Sequence, residues 1–356
     1  MKTALILGLV LCAAFPLPAQ EPMSAGRMTG IALGFHTYIR KGHKGSVVDY
    51  SPIAKLSEKM GRHPALVHGF YPWKNTDGSY CPFPREFADY VVSQGAVPLI
   101  TWQPAQADSQ NHVEHPQADW TCVEIASSRD DDYVRQWAAA AKAYPHPVYV
   151  RLMHEFNATP YPWAYGVDQV KNSPEKYVVA FRHVVTIFQQ MAVRNVQFIW
   201  CFGCGAQKPP PENWFPGDNY VQWIALDGYN HGFTKDGSKR NWQTMEQIFA
   251  PSYARLTKVS RRPVMIAEIA CVEDVDAKGS THIVDKMKKP QWINDTFLHG
   301  IPEKMPRVRA VVLFNSVGHN FPTYVVDSSP ESLAAFRAIA AEPLYHPAAP
   351  SKPLMY

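Results

Sequence analysis

The chain has 356 residues, of which 46% are hydrophobic and 19% charged, and carries a formal net charge of +4 at pH 7. That length is ample for one large domain with a deep core. The mild charge excess lacks the clustered basic footprint of a nucleic-acid binder. Met1 to Ala19 reads as a secretory signal: Lys2 supplies the positive start, Ala4 to Ala14 the apolar stretch, and Leu17-Pro18-Ala19 a cleavage site. The stretch is too short to span a bilayer, and no later segment is long and apolar enough. Gln20 to Arg27 reads as a leader, Met28 to Ala341 as one domain, and Glu342 to Tyr356 as an irregular Pro-rich tail.

Eight short apolar strands are expected in order: residues 29–35, 65–70, 97–102, 148–153, 196–200, 221–226, 264–267 and 310–314. Unbroken apolar runs are what strands covered on both faces require. Helical patterns fall between them at residues 84–93, 130–143, 173–191, 243–260, 291–297 and 329–341. Ser173-Pro174-Glu175 combines a capping serine, a first-turn proline and an acid. Val178, Phe181, Val185 and Phe188 then recur at helical spacing. Asp130, Asp131 and Asp132 suit the positive end of a helix dipole. Eight strands with interleaved helices specify an α/β fold, a single (β/α)8 TIM barrel.

In such a barrel the working side chains gather where the strands end. The most informative end is Arg151-Leu152-Met153-His154-Glu155-Phe156-Asn157, where an apolar strand closes in convergent polar groups. A second strand ends in Glu268. Two carboxylates at two strand ends are the requirement of a retaining glycosidase, which needs a protonated acid and an ionised nucleophile about 5 to 5.5 Å apart. Leu152, Met153 and Phe156 are expected to desolvate Glu155, and Arg151 and Tyr229 to donate to Glu268. Either glutamate alone could equally be an ordinary ion-paired rim residue.

His154 could hydrogen-bond Glu268 or a sugar, or be a satisfied structural histidine. Asp227 could bind hydroxyls or cap a loop. His36 and Asn157 also sit at strand ends. Ten Trp and seventeen Tyr suit a sugar cleft, and Trp73, Trp102, Trp163 and Trp223 are candidate platforms for pyranose faces. Trp200, inside an apolar run, belongs to the core. Cys12 lies in the signal. Cys81 and Cys122, both in predicted loops, are expected to pair, leaving Cys201, Cys204 and Cys271 as buried or partly paired thiols, too few ligands for zinc.

The motif Arg151-Leu152-Met153-His154-Glu155-Phe156-Asn157, followed by Tyr161-Pro162-Trp163, resembles glycoside hydrolase family 26. Glu268 after an apolar strand and Asp227-Gly228-Tyr229 extend the resemblance across the mature chain. It implies a retaining hydrolase of β-linked polysaccharide with Glu155 as general acid/base and Glu268 as nucleophile. His154 and Tyr229 would orient them and Arg151 would support them. Most members cut β-1,4-mannan, so an endo-β-1,4-mannanase is expected. The alternatives are a β-1,3-1,4-glucanase, a β-1,3-xylanase, or a carbohydrate-binding protein that has lost catalysis. Ala158-Thr159-Pro160 stands where many mannanases carry Gly and then Trp, which puts the substrate in question more than the chemistry. The expected partner is a polysaccharide or oligosaccharide, with no nucleic acid, membrane, metal or organic cofactor. The protein is expected to be a monomer, secreted or periplasmic.

Overall fold

The computed structural model describes residues 30–39, 48–108, 113, 115–157, 161–205, 209–317 and 322–346. The expected signal and leader, the Ala158-Thr159-Pro160 departure and the tail beyond residue 346 lie outside them. Eight parallel strands form one sheet: β1 (Ile31–Thr37), β2 (Leu66–Lys74), β3 (Val97–Gln106), β4 (Val148–Leu152), β5 (Val196–Gly203), β6 (Trp223–Asn230), β7 (Val264–Cys271) and β8 (Val308–Asn315). Each pairs with its sequence neighbour, and β8 pairs with β1, which closes the barrel. All eight expected strands are present, several running three or four residues further toward their C-terminal ends.

Helices α1 (Ser51–Met60), α2 (Arg85–Ser93), α3 (Asp131–Lys142), α4 (Pro174–Gln190), α5 (Met245–Val259), α6 (Lys288–Asn294) and α7 (Pro330–Ala341) form the outer layer. The serine at 173 caps α4 by accepting from the Lys176 N–H. Thr244 and Gln247 close a reciprocal capping box on α5. Helix α1 has no counterpart among the expected helices. Between β5 and β6 the described residues form only a four-residue 3-10 turn, Pro211–Trp214. After β7, α6 runs into a wide π-type segment, Asp295–Lys304. Tyr345–His346 pairs in parallel with β1, and the Tyr345 side chain is fully buried, so the start of the expected irregular tail belongs to the domain.

Side chains alternate between two cores because successive strand residues face opposite sides. Leu66, Leu99, Tyr149, Trp223, Ala225, Met265 and Val312 fill the barrel interior. Val67, Ile100, Val150, Leu226, Ile266 and Val311 fill the larger shell beneath the helices. No helix of the described residues is long and apolar enough to cross a membrane. No disulfide joins Cys81 to Cys122, correcting that expectation. The Cys81 thiol faces Asn75 Oδ1 at 3.1 Å, and the Cys122 thiol faces the Trp163 carbonyl at 3.4 Å.

Candidate active site

Two residues further along each strand, the apolar interior layer gives way to polar side chains. Leu66 is followed by His68, Leu99 by Thr101, Tyr149 by Arg151 and Ala225 by Asp227, all fully or almost fully buried. Arg151 is the hub of this layer. Its Nε donates to Thr101 Oγ1 at 2.7 Å. Its Nη1 donates to both carboxylate oxygens of Asp227, at 2.8 and 2.7 Å. Its Nη2 donates to Glu268 Oε1 and lies 3.3 Å from His68 Nε2. Burial alone would lower the Arg151 pKa; the Asp227 and Glu268 carboxylates outweigh that and hold the guanidinium firmly protonated.

Glu268 reaches this layer through a register break in β7. Leu226 pairs with Ile266, but the next residue of β6, Asp227, pairs with Glu268. On the other side Val311 pairs with Ile266 and Leu313 with Ile269, so β8 advances two residues while β7 advances three. The extra residue is a bulge, a device that re-aims a side chain. Ala267 lies in the interior cluster and Ile269 in the outer shell, with Glu268 turned into the polar layer between them. The Tyr229 hydroxyl donates to Glu268 Oε2, so each carboxylate oxygen has one donor. Burial, then the charges of Glu268, Glu155 and Asp227, push the Tyr229 phenol well up and keep it protonated.

Glu155 sits in a strained turn. β4 ends at Leu152, and both Met153 and Glu155 take left-handed backbone with φ of 47° and 50°. Such residues persist only where their surroundings over-determine them. Here the Glu155 N–H donates to the Cys201 carbonyl at 3.0 Å. Tyr177 donates to the Met153 carbonyl at 3.1 Å, and Trp163 Nε1 to the His154 carbonyl at 2.8 Å. Asn157 clips the turn to β5, donating to the Gly203 carbonyl and accepting from its N–H at 2.7 and 2.9 Å. Gly203 leaves room for the acid, since a Cβ there would stand 3.3 Å from Glu155 Oε1. The Glu155 side chain is half-buried, more open than Glu268. Phe156, expected to desolvate this acid, instead packs outward among Tyr177, Trp200 and Trp214.

His154 does not meet Glu268 by a hydrogen bond in this structure. Its Nε2 shares one with the Tyr161 hydroxyl at 3.0 Å. His36 donates from Nδ1 to the His68 carbonyl at 3.0 Å and stacks on Phe314, ring centroids 4.9 Å apart. Burial pushes the Asp227 carboxyl up to about 8, with Glu268 adding to the rise and Arg151 opposing it. The two acids share one guanidinium.

The four tryptophans proposed as sugar platforms are fully buried, which corrects that expectation. Trp73 and Trp102 lie on the outward parity of β2 and β3. They pack against each other at 5.0 Å, and Trp102 stacks on Trp137 of α3 at 4.4 Å. Trp223 opens β6 at the bottom of the barrel and donates to Gln197. Trp163 supports the Glu155 turn, with Tyr161 stacked on it at 5.0 Å. Trp200 is core, as expected. Residues that sequence reasoning missed are His68, Thr101, Phe70, Phe314 and Tyr324. The first two share strand parity with Arg151, a signal that was available. Tyr324 stacks on Tyr229 from a distant loop and gives no local signal. A groove of about 560 Å³ between α5 and the π-type segment is lined by Trp242, Met245, Trp292 and His299, among others, and by none of the carboxylate cluster. Among the described residues no group of three His, Cys, Asp or Glu is placed to hold a metal.

Burial lowers the pKa values of His36, His68 and His154, and that of His231 to about 4. The guanidinium can only donate to His68 Nε2, so that ring is neutral with its proton on Nδ1. All four folded values lie below the unfolded value near 6.5, so the unfolded chain binds more protons as the pH falls. Asp227 works in the opposite sense, its raised pKa opposing part of the effect of the histidines. The histidine contribution to stability is therefore expected to be present above pH ~6.5 and lost as the pH falls below it, while the Asp227 contribution is lost as the pH rises toward about 8. Denaturant midpoints at pH 7, 6 and 5 check this; an unchanged midpoint would contradict the assignment of neutral buried histidines.

A closed parallel barrel with a strained acid in the turn after β4 and a second, doubly hydrogen-bonded acid on β7 is the architecture of a barrel glycosidase. The description of glycosyl hydrolase family 26 matches residues 105–284. Endoglucanase H of Acetivibrio thermocellus is 32% identical over 295 residues, covering 82% of this chain and 29% of that protein. The chain belongs to glycosyl hydrolase family 26, and it spans under a third of the length of that relative. Among solved structures, a GH26 β-mannanase from Bacteroides ovatus superposes with a TM-score of 0.61 at 16% identity, covering 92% of this chain and 93% of that one. A Cellulomonas fimi endo-β-1,4-mannanase double mutant superposes with 0.63 at 17% identity, covering 92% and 74%. At these identities the superpositions establish the shared barrel.

Proposed function

We propose that this protein is a retaining glycoside hydrolase that cuts within β-1,4-linked polysaccharide chains. Glu268 is the nucleophile and Glu155 the general acid/base. The observation that carries this reading is the unequal treatment of the two acids. Glu268 is buried and takes a donor on each oxygen, from Arg151 and Tyr229. Glu155 stands half-buried on a strained turn, and its charge reaches the same Tyr229 hydroxyl. Donors to both oxygens favour an ionised carboxylate, the form that attacks. In the first step Glu155 donates a proton to the glycosidic oxygen while Glu268 bonds to the anomeric carbon and the leaving sugar departs. In the second, Glu155 takes a proton from water, which displaces Glu268 and restores both acids.

For the substrate, two observations favour β-glucan over the mannan expected from the sequence. The relative at 32% identity carries the name endoglucanase. In addition, the chain has Ala158-Thr159-Pro160 where many mannanases carry a tryptophan shortly after the acid. Reducing-end release from mixed-linkage β-glucan, carboxymethyl cellulose, β-mannan and β-1,3-xylan tests this, and β-glucan is expected to release most. Faster release from mannan restores the mannanase reading. Calorimetric binding with no reducing ends from any glycan would identify a binding protein. The secretory signal read at Met1 to Ala19 supports export, and protein recovered in the medium or periplasm is the check.

A further inference from the structure

The Tyr229 ring is held on three sides. His231 stacks on it at 5.6 Å, Tyr324 at 5.5 Å, and Phe314 meets it edge-on at 5.6 Å. His231 and Phe314 belong to or directly follow barrel strands. Tyr324 does not: it lies in the connection from β8 to α7, and its own hydroxyl hydrogen-bonds His231 Nδ1. The placement of that one ring therefore depends on how its loop is held.

The loop is held by buried charge. Lys289 of α6 is fully buried, and its Nζ donates to the carbonyls on either side of Tyr324, Thr323 at 2.7 Å and Val325 at 3.0 Å. A third bond goes to Ser328 Oγ at 2.8 Å, so all three ammonium protons are used. Glu273, two residues past β7 and also fully buried, lies 4.0 Å from the ammonium. Its Oε1 accepts from Ser328, Ser329 and Ser332, and its N–H donates to Thr323 Oγ1. Asn315, at the end of β8, accepts from the Val326 N–H at 2.8 Å. Burying an ion pair is seldom worth its desolvation as a source of stability, and its best-attested role is to fix one arrangement. Here the arrangement fixed is the backbone from Thr323 to Val325, which carries Tyr324.

We propose that Tyr324 is a positioning residue of the active site, and that the buried Lys289–Glu273 pair is the clamp that sets it. The clamp holds the Tyr324 ring, the ring holds Tyr229, and the Tyr229 hydroxyl stays aimed at Glu268 Oε2. This rests on the reading of Glu268 as nucleophile. A misplacement of about 1 Å at a reacting group costs up to about 10²-fold in rate, so the effect falls on kcat while substrate contacts are unchanged.

The test is steady-state kinetics of the full-length protein on the polysaccharide it hydrolyses fastest, with melting temperatures alongside. Tyr324→Ala is expected to lower kcat by about 10- to 100-fold with KM within about threefold of the parent. Tyr324→Phe, which keeps the ring, is expected to recover most of that loss. Lys289→Met, if it folds, is expected to lower kcat in the same way. Combining it with Tyr324→Ala should then cost no more than the larger single effect, because the two act through one contact. Normal kcat in Tyr324→Ala beside an inactive Glu268→Ala would overturn this proposal alone. Equal losses in Tyr324→Ala and Tyr324→Phe, or a loss carried by KM, would also overturn it. An active Glu268→Ala would overturn the nucleophile reading and this proposal with it.

Discussion

Glu268→Ala is expected to abolish turnover, by a factor on the order of 10⁶, the scale seen when a lone nucleophile is removed. Added azide is expected to restore it, because the truncated side chain leaves space for a small anion on the face of the sugar that the carboxylate attacked. Glu155 remains to protonate the leaving oxygen, so the product is the inverted glycosyl azide. Glu155→Ala should differ in kind. It loses about 10²- to 10⁴-fold on substrates with poor leaving groups, and much less on aryl glycosides whose leaving group needs no proton. Azide then attacks the glycosyl-enzyme at Glu268 and gives the azide of retained configuration. The opposite configurations of the two products, read by NMR, assign one role to each acid. Activity without azide in Glu268→Ala, or the same anomer from both variants, would remove the mechanism.

Arg151→Met is the second large effect. The arginine is fully buried and bonded to two carboxylates, so its loss leaves Asp227 and Glu268 facing each other without a cation. Breaking a buried pair from one side costs about 3–5 kcal/mol, visible as a lower denaturant midpoint. Activity should fall as well, since Glu268 loses the donor to Oε1. Adding Asp227→Asn removes one of the two carboxyl groups left without their guanidinium and is expected to return part of the lost stability, giving a non-additive cycle. Strict additivity would mean that Arg151 and Asp227 do not act as a unit.

These effects bear on how the site could be read before the fold was known. Glu155 was visible because it follows an apolar run, and the resemblance at Arg151 to Asn157 concerns one contiguous turn; Glu268, expected at a strand end, lies inside β7, which runs on to Cys271. The tryptophans misled for a physical reason. A residue at the end of a predicted strand points into the cleft only if it has the right parity. β2 and β3 continue to Lys74 and Gln106, which places Trp73 and Trp102 on the outward face. The Cys81–Cys122 pairing failed because loop membership says nothing about the distance between thiols.

The sequence by itself determined eight strands, their order, and which of them bring Glu155 and Glu268, because hydrophobic period and local polar punctuation are properties of short segments. Tertiary structure alone decided that a bulge in β7 turns Glu268 inward, that Arg151 is shared between two carboxylates, and that a loop clamped by Lys289 and Glu273 braces Tyr229. Those contacts join residues tens to more than a hundred positions apart. Their partners meet only when strand register and loop path are set by the closure of the whole barrel.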